Sequence, residues 1–334
     1  MKWLWCAVVA WLLLSLGGCP NSVVAEGYDS SVGRHDAAFT DAATGDALAL
    51  DHVASDRATS DRAQIDRTSA ACDLDDDGYD SVSCGGDDCN DNDRNVHPGA
   101  SERCSSVDEN CNQQNNEGLD CTFIACGRDT LYRVDPFART VVASTQVTLP
   151  DAHGLLDIDI DTNGQLLAVT ANGLYTISSG GQMSLLANVT TPTNTNGMAI
   201  DSRGSIFITN SDTTNSKAYT VNRSTGALTE IGDLAPYVSS GDCVQTKDDS
   251  LYMTAPDPDD STQDLLVYVD SSTAATTSIG AIGFGQVYGL SASWGLLFGV
   301  TDQGEVITID RQTGQGTLLM TSSNLRFWGA ANGD

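Results

Sequence analysis

The segment LYRVD at residues 131–135 is the first of five related strands in the C-terminal part of the chain. The later copies are LYTIS at 174–178, AYTVN at 218–222, VYVD at 267–270 and VITID at 306–310. Most of them place an aromatic residue two positions before an aliphatic one and end in Asp, Asn or Ser. They are 39 to 49 residues apart, about the length of a four-stranded propeller blade. The repeat therefore predicts an all-β fold for residues 122–334.

A second signature, a hairpin, lies upstream of the strand signature. It reads DTNGQL at 161–166 and DSRGSI at 201–206, and Asn-Gly is a strong cue for a two-residue hairpin turn. The ends of this region complement each other: FIAC at 123–126 aligns with a second strand, and FWGAANGD at 327–334 with a first strand and its turn. We therefore predict a five-bladed β-propeller whose ring is closed by both ends. It resembles the broad class of YxVDxxTG-type propeller repeats, which implies a fold and no activity.

Several propeller residues are candidates for a site, each with a structural alternative. Aromatic residues at one fixed strand position are expected in the core between blades rather than in a ligand-stacking ring; they are Tyr132, Tyr175, Tyr219 and Tyr268. Acids on the innermost strands could face a channel as metal ligands or catalytic groups, or be solvated or cap turns; they are Asp157, Asp159 and Asp242. Trp294 and Trp328 could mark a binding face.

The charge of the chain excludes some classes of partner. It has 45 acidic and 16 basic residues and a net charge of −29. Nucleic-acid binding depends on Lys and Arg neutralising phosphates, and docking to anionic lipid needs the same residues, so neither is expected. The acids are densest in residues 72–121, which hold 14 acids and two bases.

The acidic block opens with CDLDDDGYD at 72–80. Carboxylates at alternate positions 73, 75 and 77, followed by Gly78, match the first half of a calcium loop, in which the next carbonyl, that of Tyr79, also ligates. Hard carboxylate oxygens favour Ca²⁺ over softer metals. Cys84 stands where an EF-hand has its bidentate Glu, so this is not an EF-hand.

The whole block, residues 72–121, resembles the MopE-type metal-binding motif of bacterial surface proteins. The resemblance rests on DxDGY at 75–79, CGGDDCNDND at 84–93, PGASERC at 98–104, DENC at 108–111 and NEG at 116–118. It implies a first ligand set of Asp73, Asp75, Asp77, Asp88, Asp91, Asp93 and Glu102. It implies a second set of Asp108, Asn110, Asn112 and Glu117. The chain departs from the motif at Ser105-Ser106 and Asn112-Gln113, where the family has Asp-Gly, and Asn112 belongs to the second set.

Two alternatives qualify this interpretation of the block. The family name associates it with copper, but the block holds one histidine, His97, and no methionine, so calcium is preferred to copper. The block could also be a solvated acidic linker with structural cysteines.

The cysteines indicate an oxidising compartment. Six of the ten lie within residues 72–121, where a short unit needs disulfides for stability. Six cysteines allow fifteen pairings, and the sequence does not select one. Cys126 and Cys243 are left as candidate buried thiols.

The N-terminus predicts export. Residues 3–16 are almost wholly apolar, which suits a signal-peptide core and is too short to span a bilayer. The sequence LGGC at 16–19 resembles the lipobox of bacterial lipoproteins. That resemblance implies a signal peptide at 1–18, lipid on Cys19 and, with Pro20 following, outer-membrane sorting. An ordinary secretory signal is the alternative.

Residues 19–71 are predicted to form a tether. Asp recurs every five residues from Asp36 to Asp66, a period that gives neither an apolar helix face nor strand alternation. We therefore expect an exported lipoprotein of the outer membrane, facing the periplasm or the cell surface, with a metal-binding module and a propeller. Recognition or adhesion through a protein or carbohydrate ligand is the leading function. A hydrolase or lactonase using channel carboxylates and a metal, and a structural envelope spacer, are the alternatives.

Overall fold

The computed structural model describes residues 72–150, 152–189, 195–211 and 216–333. The predicted signal peptide, Cys19 and the tether lie outside the described residues. Within those residues no helix is long and apolar enough to cross a membrane. The described part is an all-β five-bladed propeller preceded by a disulfide-rich module at 72–121. The predicted fold class is therefore confirmed.

Each blade is a four-stranded antiparallel sheet. Blade 1 is formed by β20 (Gly329–Ala331), β1 (Phe123–Cys126), β2 (Thr130–Asp135) and β3 (Thr140–Gln146). Blade 2 is formed by β4 (Asp157–Ile160), β5 (Leu166–Val169), β6 (Gly173–Ile177) and β7 (Met183–Asn188). Blade 3 is formed by β8 (Thr195–Ile200), β9 (Ile206–Asn210), β10 (Lys217–Val221) and β11 (Leu228–Asp233).

The last two blades follow the same order. Blade 4 is formed by β12 (Cys243–Gln245), β13 (Leu251–Pro256), β14 (Asp264–Val269) and β15 (Thr276–Ala281). Blade 5 is formed by β16 (Val287–Ser293), β17 (Leu296–Thr301), β18 (Glu305–Ile309) and β19 (Gly316–Thr321).

Both ends of the propeller sequence close the ring in blade 1. The innermost strand β20 comes from the C-terminus and pairs antiparallel with β1, with Ala125 opposite Ala330. This is the closure that the sequence predicts. It removes the free edge that an open ring would expose.

The hydrophobic core is divided into five clusters, one between each pair of neighbouring blades. Tyr132 and Tyr219 pack against two of these clusters and Tyr175 is 7% exposed, as predicted for core positions. Tyr268 differs, because it is 37% exposed and its ring packs edge-on against Tyr252. The outermost strands are largely solvent-exposed and polar, so burial increases from the rim toward the axis.

Glycines occupy three of the five innermost strands at points where the backbone lies close to a neighbouring group. A Cβ added to Gly329 would overlap the carboxylate of Asp157, one added to Gly197 would overlap the Thr209 hydroxyl, and one added to Gly289 would overlap Val300. Only glycine allows so close an approach of backbone to a neighbour. The inner strands therefore pack closely against their neighbours, and Gly329 makes room for the buried carboxylate of Asp157.

The module at residues 72–121 has almost no regular secondary structure. A short 3₁₀ helix at Val82–Cys84 is the one helix in the described residues. Disulfides join Cys72 to Cys84, Cys89 to Cys111 and Cys104 to Cys121, so one of the fifteen possible pairings is now given. Cys126 and Cys243 are free and buried, as predicted. An ion pair between Asp120 and Arg133 of β2, at 2.5 Å, joins the end of the module to blade 1.

Candidate metal centre

The first acidic loop, residues 73–79, is folded around the carboxylate of Asp73. Its Oδ1 accepts a hydrogen bond from the backbone N–H of Asp77 and its Oδ2 accepts one from Gly78, both at 3.1 Å. Gly78 has a φ of 96°, a conformation that glycine adopts without steric cost. The loop therefore turns back on itself and brings alternate side chains to one side.

Carboxylates from two parts of the module converge on this loop. Oxygen atoms of Asp75, Asp77 and Asp88 lie within 4.8 Å of one another, and so do those of Asp73, Asp75 and Asp91. Asp88 and Asp91 are buried, at 1% and 9% exposure. The structure thus brings together five of the seven residues predicted for the first ligand set.

Four oxygen atoms in this group are buried without any hydrogen-bond donor. They are both carboxylate oxygens of Asp75, Oδ2 of Asp77 and Oδ2 of Asp88. Burial, and then the negative charges of Asp77, Asp88 and Asp73, raise the pKa of the Asp75 carboxyl. Buried polar atoms in folded proteins are almost always paired, so this arrangement lacks a positive partner.

The remaining oxygens of the group hold the loop in shape. Oδ1 of Asp77 accepts a bond from the Tyr79 N–H at 2.8 Å, and Oδ1 of Asp88 accepts one from the Asn90 N–H at 2.9 Å. Oδ1 of Asp91 accepts one from the Leu74 N–H at 2.8 Å. Asp77 and Asp88 therefore use one oxygen to brace the backbone and present the other to the centre.

A second loop, residues 108–114, repeats the hydrogen bonds of the first. Asp108 accepts bonds from the N–H groups of Asn112 and Gln113, at 3.1 and 2.6 Å, as Asp73 does from Asp77 and Gly78. Gln113 has a φ of 71°, so it adopts the left-handed conformation that glycine has in the first loop. The departure from the family motif at Asn112-Gln113 therefore leaves the turn in place.

The second loop has fewer charges than the first. Glu117 Oε1 accepts hydrogen bonds from the side-chain amides of Asn110, at 2.7 Å, and of Asn112. Asn110 Oδ1 and Glu117 Oε2 are buried without a partner. The predicted second set is thus brought together, with two carboxylates where the first loop gathers five.

Two predicted ligands lie apart from these groups. Asp93 is exposed, and its Oδ1 accepts bonds from the backbone and side chain of Asn95. Glu102 accepts bonds from the backbone N–H groups of Asn110 and Asn116, at 3.0 and 2.8 Å, one on each oxygen. Both carboxylates therefore serve backbone turns in this structure, and Glu102 ties the second loop to the rest of the module.

Glu109, which no sequence pattern marks as a ligand, is only 3% exposed. It accepts bonds from the Arg103 N–H at 3.1 Å and the Ser105 hydroxyl at 2.8 Å. In the sequence, Glu109 cannot be told apart from the many acidic residues around it. Only its burial distinguishes it, and that burial depends on how the disulfides fold the module, which the sequence left open.

The unpartnered donors of the module are all oxygen atoms. All six cysteines are in disulfides, so the proximity of Asp88 to Cys89 and Cys111 offers no thiolate. The ring of His97 stacks on Tyr79 with centroids 4.7 Å apart, and its Nδ1 lies 3.2 Å from the Pro98 carbonyl oxygen. Carboxylates and carbonyls suit Ca²⁺, Mg²⁺ or Mn²⁺, whereas copper prefers imidazole, thiolate or thioether donors.

The predicted channel acids lie on the axis and are fully buried. Asp157 Oδ2 accepts a bond from the Met198 N–H at 2.6 Å, Asp159 Oδ2 one from the Ile200 N–H at 2.8 Å, and Asp242 Oδ2 one from the Leu290 N–H at 2.5 Å. Each bond joins one blade to the next. Burial, and then the charge of Asp242, raise the pKa of Asp157, and burial also raises that of Asp242. These acids therefore connect neighbouring blades.

Asp159 makes the stability of the propeller pH-dependent. Burial raises the pKa of its carboxyl from 3.8 to about 7, so between these values the folded state holds a proton that the unfolded chain has lost. The free energy of unfolding then falls as pH rises through this window, by about 2 kcal/mol between pH 5 and 7. In the wild type this change should lower the melting temperature by about 4–8 °C between pH 5 and 7. We expect Asp159→Asn to lack this part of the pH dependence.

Calorimetry at constant ionic strength and saturating calcium measures this slope. Asp259→Asn, in an exposed loop, is the matched control because it makes the same substitution without reaching the axis. Equal slopes for wild type and Asp159→Asn would contradict the prediction.

The two tryptophans of the propeller lie at opposite ends of inner strands. Trp294 follows β16, where its ring packs edge-on against Phe137 and Phe298 beside a core cluster. Trp328 precedes β20, and its indole N–H donates to Asp302 Oδ1 at 3.2 Å. The two residues therefore cannot belong to one binding face.

One part of the chain matches a known family. Residues 88–117 match the copper-binding MopE family model, which is described as "Putative metal-binding motif". The match spans the end of the first ligand group and the whole second loop. A comparison with curated proteins finds no matching sequence.

Several solved structures are similar to the propeller at low sequence identity. A chain of a nidogen/laminin complex is 12% identical with a TM-score of 0.46, over 63% of this chain and 97% of that one. A gluconolactonase from Xanthomonas campestris is 14% identical with a TM-score of 0.41, over 61% and 77%. Virginiamycin B lyase from Staphylococcus aureus is 15% identical with a TM-score of 0.38, over 66% and 77%. None of these similarities assigns an activity to this chain.

Proposed function

We propose that this chain is a membrane-anchored recognition protein in which a calcium-ordered module supports a ligand-binding propeller. The observation that carries the proposal is the group of four unpartnered, buried oxygens on Asp75, Asp77 and Asp88. A divalent cation would neutralise them and complete their coordination. Calcium is the proposed ion because the donors are oxygens from five carboxylates, and Ca²⁺ accepts about six to eight oxygen ligands where Mg²⁺ is usually held by one or two carboxylates and keeps several waters. The copper in the name of the matching family is the competing assignment.

The two loops should differ in affinity. The first offers carboxylates from Asp73, Asp75, Asp77, Asp88 and Asp91, and the second only those of Asp108 and Glu117. Because affinity for calcium rises with the number of charged ligands and the rigidity of the site, one tight and one weaker site are expected.

Calcium titration of the purified full-length protein, after treatment with a chelator, tests this proposal. We expect heat from two unequal sites and an unfolding transition of the module that moves to lower temperature with EDTA. Magnesium and cupric ion are the comparison ions. No binding at millimolar calcium, or stoichiometric copper binding in its place, would overturn the assignment.

Export and anchoring complete the proposal. Three disulfides in a 50-residue module support an oxidising compartment, and the lipobox-like sequence at 16–19 supports lipid on Cys19. Several acyl chains hold a protein firmly at a membrane. Cys19→Ser should therefore release the protein from the membrane fraction, and its retention there would contradict the anchor.

The hydrolase or lactonase alternative would use the carboxylate of Glu305 rather than those on the axis. Asp157 and Asp242 are fully buried, so a substrate would reach them only if the inner ring opened. Glu305 is half-buried and lines an open cleft on one face of the propeller, whereas Asp264 in the same cleft is only 4% exposed. An enzyme of this fold would work there, and release of reducing sugar or opening of a lactone by the purified protein would favour it over recognition.

A further inference from the structure

The two ends of the propeller axis carry different side chains. We call the end where the innermost strands begin the upper face, and the end where they finish the lower face. The lower face has a depression of about 390 Å³, and two of its five turns, those after β4 and β8, have the same chemistry. Asp161 Oδ1 accepts bonds from the N–H groups of Asn163 and Gln165, and Asp201 Oδ1 accepts them from Arg203 and Ser205. These side chains are committed to closing hairpins.

On the upper face, the residues around the axis differ from blade to blade. They are Trp328 before β20, Leu156 before β4, Asn196 in β8, Ser240 and Gly241 before β12, and Tyr288 in β16. Together they surround a depression of about 160 Å³. The depression therefore combines two aromatic side chains with polar groups from Asn196 and Ser240.

A larger cleft continues outward from this depression. It has a volume of about 650 Å³, lies between blades 4 and 5, and shares Ser240 and Tyr288 with the depression. Gln286, Gln303 and Glu305 form its far side. A volume of this size is typical of a small-molecule or oligosaccharide subsite.

The aromatic residues at the junction are held in fixed positions. The Trp328 indole N–H is bound by Asp302, which also pairs with Arg326 at 2.6 Å. The Tyr288 ring lies against Gly241, where an added Cβ would come within 2.9 Å of it. Both side chains are partly exposed. Their orientation is therefore set before any ligand arrives, which lowers the entropic cost of binding.

The polar groups of the cleft define the ligand chemistry. Among the described residues that line the two depressions there is no Lys, Arg or His, so an anionic ligand is not favoured. Amides, hydroxyls and carboxylates are present, including Gln303, Ser240 and Asp264. Asp264 Oδ2 already accepts hydrogen bonds from the Val287 N–H and the Ser240 hydroxyl. These two bonds hold the Asp264 carboxylate in place at the side of the cleft. Aromatic faces beside uncharged donors and acceptors suit an uncharged polyhydroxyl ring.

We infer that the upper face binds a neutral carbohydrate, with one sugar ring against Trp328 and Tyr288 and further rings along the cleft between blades 4 and 5. This inference rests on the proposed recognition function and specifies its ligand class. The opposite face and the metal module take no part in the contact.

Affinity electrophoresis of the full-length protein through gels holding a neutral polysaccharide tests the inference. The probes are soluble starch, hydroxyethylcellulose, xylan, galactomannan and mixed-linkage β-glucan, with alginate as an acidic comparison. We expect retardation by at least one neutral polysaccharide that persists in 0.5 M salt, and none by alginate. Tyr288→Ala and Gln303→Ala should each weaken the retardation about tenfold or more.

The matched control is Tyr268→Ala, because Tyr268 is an exposed tyrosine on blade 4 outside the cleft. Gln303 is exposed and lies on a turn, so its variant keeps the test valid even if Tyr288→Ala fails to fold. Retardation that is unchanged in both cleft variants would overturn the site while leaving surface recognition in place. No retardation by any neutral probe would overturn the carbohydrate inference, whereas the calcium titration bears on the metal module alone.

Discussion

Asp88→Asn is expected to weaken calcium binding at the first loop by roughly 100-fold. Loss of residues that only support metal ligands costs about 10–100-fold, and Asp88 would be a direct ligand. Asparagine keeps the acceptor that Asp88 Oδ1 offers to the Asn90 N–H, so the local turn should survive. The substitution replaces the unpartnered Oδ2 by an amide that repels a cation. Isothermal titration with calcium measures the change.

Asp87→Asn is the matched control, since it removes the same charge one position earlier on an exposed side chain. It should change the affinity less than threefold, because screened surface charges contribute little. Equal losses in the two variants would show that general charge, not coordination at the first loop, governs binding.

The double variant Cys89→Ser/Cys111→Ser is expected to unfold the module while leaving the propeller intact. Loss of a native disulfide costs about 2–5 kcal/mol in a small domain, and this module has little other structure to offset it. Because the pair ties Cys89, next to Asp88, to the second loop, calcium binding should fall beyond detection. Titration, limited proteolysis and a thermal melt measure these effects.

Two observations make this result specific. Ser106→Ala, at an exposed position of the same module, should bind calcium like the wild type. Proteolytic cuts should cluster within residues 72–121, and the propeller transition should keep its melting temperature. Calcium affinity within threefold of the wild type in the double variant would contradict the view that the disulfides build the site.

Much of the fold follows from the sequence because its signals are local and repeated. A strand ending in Asp, Asn or Ser recurs five times, and hairpin cues such as Asn163-Gly164 come before it, so the number and order of the blades can be counted. The pairing of β1 with β20 also follows from the sequence. Residues 123–126 align with a second strand that has no first strand before it, and residues 327–334 align with a first strand that has no second strand after it. The sequence does not reveal the irregular register between the third and fourth strands, which recurs in all five blades. Such a bulge depends on one extra residue and carries no composition signal.

The candidate site is predictable in part for a similar reason. The alternate acids at 73, 75 and 77 are visible as a pattern, and the structure brings them together. The addition of Asp88 and Asp91 depends on chain crossings that the family resemblance implies and spacing alone does not. Asp93 and Glu102 lie apart from the predicted ligand group because they accept hydrogen bonds from nearby backbone N–H groups. The pattern of side chains in the sequence does not indicate such backbone contacts.

The pairing of β20 with β1 also sets the order in which this protein can assemble. The disulfides of the module join residues only 12 to 22 positions apart. In contrast, Ala125 of β1 pairs with Ala330 of β20, which is far later in the sequence. Chains are synthesised from the N-terminus, and contacts that are distant in sequence form slowly. The module can therefore fold on the emerging chain while blade 1 still lacks its innermost strand, β20. A variant in which β20 is deleted would keep its metal loops and lose its closed ring.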